Sequence, residues 1–272
     1  MDRECSRTKT TQSTLLAGSH VISGAAHSGL LGWRLSMEGA VVTELLSAEL
    51  GVFAVLDGHG GRYCSQWAAD ELPQRLRHVA AAAEGSEDVD AEAWQVAQQL
   101  SEAVRQMDLD LRGCGRAAWA CGTTLVTLLV TRRSLTVANV GDSRAVLCRA
   151  GVALPLSRDH KPKVSAERQR ILHAGGLIVD GRVHGDLSLS RALGDFRHKM
   201  VAHLPPSKRA RRARHSHTNR RSARALAAPR SLRRARAALG SDACRCRRAW
   251  TVRARPSART ALIPPRRRRQ SP

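Results

Sequence analysis

The sequence predicts an α+β fold in which helices pack on an antiparallel sheet system. Two observations predict it. Strand-like and helix-like segments arrive in blocks rather than in strict alternation. Three β-rich runs, TTLVTLLV (123–130), SLTVANV (134–140) and RAVLCRAG (144–151), are separated only by TRR and GDS. Turns that short join antiparallel strands, because parallel neighbours need a long crossover.

Taken in order, residues 1–29 are rich in Ser, Thr, Gly and Ala without a period and read as a flexible lead-in with room for one edge strand. GVFAVL (51–56) is a short continuous apolar run, the pattern of a buried strand. RYCSQWAADEL carries helical spacing, and Pro73 is expected to kink that helix or open a second one. GSEDVD (85–90) is a polar connector with N-cap chemistry. Ala93, Val96, Leu100, Val104, Met107 and Leu111 then repeat on one face, predicting an amphipathic helix over 91–111. The three β-rich runs predict an antiparallel meander. SAERQRILHAGG (165–176) reads as a helix capped by Ser165 and stopped by Gly175-Gly176, and LIVDGRVHG (177–185) as a hairpin with Asp180-Gly181 at its tip. After about residue 203 Arg dominates and no apolar period is sustained, so 204–272 is expected to be a disordered basic tail.

Charge supports that division. The formal net charge is +22, but residues 201–272 hold 22 of the 45 bases and a single acid, Asp242. The first 200 residues carry 23 bases against 22 acids, so the body is near neutral. Seven cysteines at 5, 64, 114, 121, 148, 244 and 246 contain no CxxC pair, which predicts reduced thiols and a cytoplasmic or nuclear setting. The N-terminus is too polar for a signal peptide, and TLVTLLV is too short to span a bilayer, so no membrane association is expected.

FAVLDGHGG (53–61) carries an acid out of the buried strand and follows it with glycines. Alone, it fits an ordinary strand exit in which Asp57 bonds the turn. It equally fits a site where a rigidly placed carboxylate and an accessible glycine carbonyl hold a hard cation. Other stretches decide. GWRLSMEGA (32–40), CGTTLVTLLV, LTVANVGDSRAVLCRAG, SRDHKP, ERQRILHAGG and GRVHGDLSLSRALGDFRHK surround it in that order. Together they resemble the metal-dependent protein serine/threonine phosphatases of type 2C, the PPM family, over 30–203. The resemblance implies a two-sheet antiparallel β-sandwich flanked by helices, with two Mg²⁺ or Mn²⁺ ions at one end. It implies Asp57 as the carboxylate shared by both ions, Gly58 as a carbonyl ligand and Glu38 as a ligand to the second ion. Asp142 is implied near a weaker third ion, His59 as general acid toward the leaving alcohol, and Arg34 as the guanidinium fork on the substrate phosphate. Asp195 of SRALGDF is expected to support the site rather than to bind metal, and His160 and His184 to be loop residues. The implied function is dephosphorylation of phosphoserine and phosphothreonine in phosphoprotein substrates, by a monomer, through a water activated between two metals.

The pattern also departs from the family. Gly39 stands where an acid usually follows the Glu of R-x-x-M-E, and the C-terminal D-G-x-W-D and G-x-x-D-N motifs do not occur. The second metal site and the strands that carry it are therefore expected to be incomplete. Two alternatives stand beside the enzyme. One is an inactive phosphatase-like binding protein. The other is polyanion, nucleic-acid or import-receptor binding by runs such as SKRARRAR and PPRRRR. The change in composition after residue 206 leaves two alternatives, a genuine basic tail or a product of a shifted reading frame, a retained intron or a gene-model error, and the second is the expectation. Reading the coding nucleotides past codon 206 in the alternative frames and downstream is expected to recover both motifs; their absence would reject that explanation.

Overall fold

Residues 50–56 are apolar toward both sides, and both sides are covered. The computed structural model describes residues 6–14, 19, 21–84, 88–199 and 249–253. In chain order the strands and helices are β1 (Ser6–Thr14), β2 (Ala25–Gly32), β3 (Ala40–Ser47), β4 (Leu50–Leu56), β5 (Gly58–His59), α1 (Tyr63–Glu84), α2 (Val89–Leu111) and α3 (Arg116–Ala120). There follow β6 (Gly122–Thr123), β7 (Leu125–Val130), β8 (Leu135–Val140), β9 (Arg144–Arg149), β10 (Val152–Pro155), α4 (Ser165–His173), β11 (Ile178–Val179), β12 (Arg182–Val183), β13 (Leu193–Gly194) and β14 (Ala249–Arg253).

The central sheet has the order β3-β4-β7-β8, and all of its pairs are antiparallel. Side chains alternate across it with period two. Val52, Ala54, Leu56, Leu125, Leu129, Ala138 and Val140 meet the apolar stripes of α1 and α2. Phe53, Val55, Val126, Leu128, Val130 and Val137 meet Ala145 and Leu147 of β9 on the other face. β9 belongs to a second sheet, β10-β9-β14, so two sheets stack with the helices outside the first. At one end lies a short, buried third sheet, β13-β6-β5, which contributes Leu193 to the core. Each fully buried Val or Leu in these layers contributes about 1.5–3 kcal/mol.

Several local expectations hold. Asp88 caps α2 by accepting from the backbone N–H of Asp90 (2.9 Å) and Ala91 (3.3 Å). Asp180 and Gly181 both have positive φ, 50° and 71°, as a two-residue type I′ hairpin requires. Others are corrected. β7 and β8 pair, but β9 leaves the central sheet, so the three runs are not one meander. Gly141 (φ 103°) turns the chain across to cover the apolar face that β7 and β8 would otherwise expose. Pro73 lies inside one continuous helix, α1, where Leu72 and Leu76 on either side are fully buried in the core. Ser165 is the first helical residue of α4 rather than its cap, which is Val164, without a capping side chain. β3 and β10 are strands that the sequence reading left unassigned. β14 lies inside the expected structureless tail: its Trp, Thr and Val form a β-favouring run that pairs with the edge of β9. Residues 200–248 and 254–272, with the remaining basic runs, lie outside the described residues.

α4 is tied to the loop before β13 by one buried carboxylate. Glu167 accepts from Arg170 (2.6 Å), Arg191 (2.9 Å) and Ser190 Oγ (2.8 Å). Burial pushes its proton affinity up, but the hydrogen bonds from Arg191 and Arg170 outweigh it and hold the carboxyl at about 2, below its ordinary 4.5. The folded state therefore gains from the ionised form above pH 4.5 and loses that gain as pH falls toward 2. Replacing Glu167 with Gln removes the counter-charge that two partly buried guanidinium groups share, at a cost of about 3–5 kcal/mol. In urea unfolding, the gap between wild type and Glu167→Gln should be full at pH 7 and close between about pH 4.5 and 2. A gap that does not change with pH would contradict this assignment.

Candidate active site

The site is built where the central sheet hands over to the third sheet. Asp57, one residue past β4, donates its backbone N–H to Thr124 Oγ1 (3.0 Å), and its carbonyl accepts the Thr124 N–H (3.0 Å). Thr124 Oγ1 also bonds Ser143 Oγ (2.7 Å), beside Asp142. Asp57 is thus held by backbone on both sides, and the GDS turn is anchored to the same threonine. Gly58 admits no side chain, because the Glu38 carbonyl and Ser65 Oγ (2.9 Å) occupy the space a Cβ would need. Ser65 Oγ donates to that same carbonyl, fixing the Glu38 loop over the start of α1.

Burial pushes the Asp57 carboxyl up to about 6. The charge of Asp142 adds to the shift, Arg34 and His59 oppose it, and Glu38 adds again. All the side chains expected at the site therefore act on one carboxylate, although they come from separate segments. Arg34 and Glu38 lie on the half-exposed loop between β2 and β3. Asp142 is buried in the turn after β8, and Lys161 of the DHKP loop makes an ion pair with it.

His59 is buried, and its Nε2 lies 2.9 Å from Asp195 Oδ2. Asp195 sits in the left-handed region (φ 51°), its N–H held by the Cys121 carbonyl (3.0 Å). Gly122 pairs with both His59 and Gly194, and a Cβ there would meet Asp195 Cγ at 2.6 Å and His59 Nε2 at 2.7 Å. The glycine is needed for close approach. The Asp195 N–H bond continues outward: Gly194 N–H donates to Asp108 of α2 (3.0 Å), which also holds the buried Lys199 ammonium (2.7 Å).

Sequence reasoning passed over Thr124, Ser65, Lys161, Gly122 and Asp108. Thr124 and Gly122 lie in the CGTTL stretch and Lys161 in SRDHKP, so a signal existed. Ser65 and Asp108 are ordinary helix residues whose partners lie 27 and 91 positions away in the chain. His160 does more than end a loop. Its N–H bonds the Gly141 carbonyl (2.8 Å), and its Nδ1 accepts the Gly141 N–H (3.2 Å), closing the turn that presents Asp142.

The family profile of Protein phosphatase 2C matches residues 25–228. The chain belongs to this family. It is 34% identical over 220 residues to "Probable protein phosphatase 2C 11" of Oryza sativa, covering 66% of this chain and 61% of the relative. It is 37% identical over 193 residues to "Protein phosphatase 2C homolog 2" of Schizosaccharomyces pombe, covering 68% and 50%. It is 42% identical over 183 residues to "Probable protein phosphatase 1N" of Homo sapiens, covering 66% and 41%. The chain thus spans about half the length of these curated relatives. The crystal structure of a serine-threonine phosphatase 2C from Toxoplasma gondii shares the fold, with a TM-score of 0.58 at 18% identity over 76% of this chain and 71% of that one.

The phosphatase 2C family is metal-dependent, and the fit of this chain's donors to metal differs between its two halves. Asp57, Glu38 and the Gly58 carbonyl are hard oxygen donors, and the proton affinity of Asp57 is raised by burial first and by the charge of Asp142 second. That half fits one cation. The other half offers less: Asp142 is taken by Lys161. Among the described residues no three His, Cys, Asp or Glu side chains converge as a ligand group for either ion. Gly39 also leaves little room for an acid, since a Cβ there comes within 3.1 Å of the Leu56 carbonyl.

Substitution at residue 122 tests this close approach. Gly122→Ala should displace the His59–Asp195 pair and lower stability by about 1–3 kcal/mol. The urea midpoint and the His59 imidazole resonances would report both effects. An unchanged midpoint with unchanged resonances would contradict the close approach.

Proposed function

We propose that this chain hydrolyses phosphate monoesters on serine and threonine side chains of proteins. The observation that carries this reading is the convergence of Arg34, Glu38, His59 and Asp142 on the electrostatics of Asp57. Family membership supports it.

Each residue has a role that follows from its chemistry. The planar Arg34 guanidinium binds two phosphoryl oxygens at once and so orients the phosphate. His59 protonates the departing alkoxide. Asp195 fixes the ring for that task through its contact with Nε2 (2.9 Å). Asp57, Glu38 and the Gly58 carbonyl would hold a Mg²⁺ or Mn²⁺ ion. Bound there, such an ion supplies charge neutralisation of the phosphate dianion and a lowered pKa for the attacking water. The donors present support one such ion rather than the pair that the family resemblance implies.

A second reading has its own support. The Lys161–Asp142 ion pair and Gly39 both weaken the site, and a chain that binds phosphoproteins without turning them over fits those features. Phosphopeptide hydrolysis by the full chain with Mn²⁺ separates the two. Asp57→Ala is expected to lower the rate by at least about 100-fold. Equal rates for wild type and variant, with phosphopeptide binding retained, would leave the binding reading and reject the enzyme.

A further inference from the structure

Directly behind the His59–Asp195 pair lie two thiols that the proposed hydrolysis does not use. Cys64 is in the first turn of α1, and Cys121 immediately precedes β6. Both are buried, 0% and 3% exposed, and their sulfurs are 2.9 Å apart. We propose that Cys64 and Cys121 form a site of reversible oxidation by hydroperoxides, in which Cys121 is oxidised first and Cys64 resolves it to an intramolecular disulfide.

The geometry assigns the roles. Cys121 Sγ receives the Cys64 backbone N–H (3.3 Å) at the N-terminus of a 22-residue helix, where unpaired N–H groups and the helix dipole favour negative charge. Cys121 Sγ also lies 3.2 Å from the Ala117 carbonyl, but Cys64 Sγ faces two carbonyls, those of Cys121 (3.3 Å) and Ala118 (3.6 Å), which favour a protonated thiol more strongly. The proton affinities follow. The hydrogen bond from Cys64 brings the Cys121 thiol down to about 7, while the same bond and burial push Cys64 up.

The step balances with one peroxide. The Cys121 thiolate attacks a peroxide oxygen, the O–O bond breaks, and the departing hydroxide takes a proton to become water. The Cys64 sulfur then displaces hydroxide from the Cys121 sulfenic acid, forming the S–S bond and losing its own proton to give a second water. The two thiols supply the two electrons. Little movement is required, since the sulfurs need only close from 2.9 Å to about 2.05 Å.

Access selects the oxidant. Cys121 lies beneath the Gly60–Gly61 loop: Gly60 is exposed, Gly61 is half-buried, and a Cβ on Gly61 would meet only Cys121 Cβ, at 3.7 Å. Such a cover suits a water-sized peroxide better than a bulky disulfide. The outcome would reach the candidate site through the backbone. Cys121 holds the Asp195 N–H, and the next residue, Gly122, seats His59.

The test uses the full chain, reduced and then titrated with hydrogen peroxide, blocked with an alkylating reagent after unfolding, and mapped as non-reduced peptides. A Cys64–Cys121 linked peptide, two hydrogens lighter than the reduced pair and restored by dithiothreitol, is the expected result. Oxidised glutathione should not produce it. In Cys64→Ser, Cys121 should accumulate as a sulfenic acid that dimedone traps; absence of that adduct in a folded variant overturns the assigned order. If the variant does not fold, wild-type mapping alone decides. Recovery of both thiols at a peroxide dose that oxidises the half-buried Cys114 and Cys148 overturns the proposal, as does cross-linking of Cys121 to any cysteine other than Cys64.

Discussion

The reciprocal hydrogen bonds between Asp57 and Thr124 are the constraint on which the candidate site depends. They join the ends of β4 and β7 where both strands leave the core. A carboxylate on a mobile loop would swing toward water and lose its shared field with Glu38 and Asp142. Here the backbone is fixed on both sides, so the side chain stays half-buried and charged groups from other segments are placed relative to it. The next two residues pair with Thr123 and Gly122, and Gly122 pairs with Gly194. One clamp thereby sets Asp57, Gly58, His59 and Asp195 in a single register.

Three buried carboxylates elsewhere among the described residues are compensated by neighbouring bases. Glu167 has two arginines, Asp108 has Lys199, and Asp142 has Lys161. Asp57 differs. Among the described residues no base closes on its carboxylate in an ion pair, and its proton affinity rises to about 6. A half-buried, partly uncompensated acid is costly to keep unless something positive binds there. The same comparison limits the site, because the Lys161 ammonium already compensates Asp142.

Much of the fold was legible. The continuous apolar run at 51–56, the helical stripe of α2 and the Asp180-Gly181 hairpin are local patterns whose geometry follows from residue type. Errors fell where tertiary packing overrides a local rule. Pro73 reads as a break, yet burial of its neighbours Leu72 and Leu76 keeps α1 continuous. A short GDS turn reads as a hairpin, yet covering Val126, Leu128 and Val137 draws β9 into a second sheet. AWTVR sits in Arg-rich surroundings that hide it, yet it pairs with the edge of β9.

The sequence by itself determined that Asp57 leaves a buried strand into a glycine turn, because strand period and turn chemistry are local. Ordered motifs further tied Arg34, Glu38, His59 and Asp142 to it as one constellation. Only the tertiary structure decided which groups those residues face. That Asp195 meets His59, that Lys161 occupies Asp142, and that Cys64 and Cys121 lie 2.9 Å apart are contacts between segments 136, 19 and 57 residues apart. Hydrogen bonds and charge act over a few ångströms, and the chain fixes such distances only when its strands take their register.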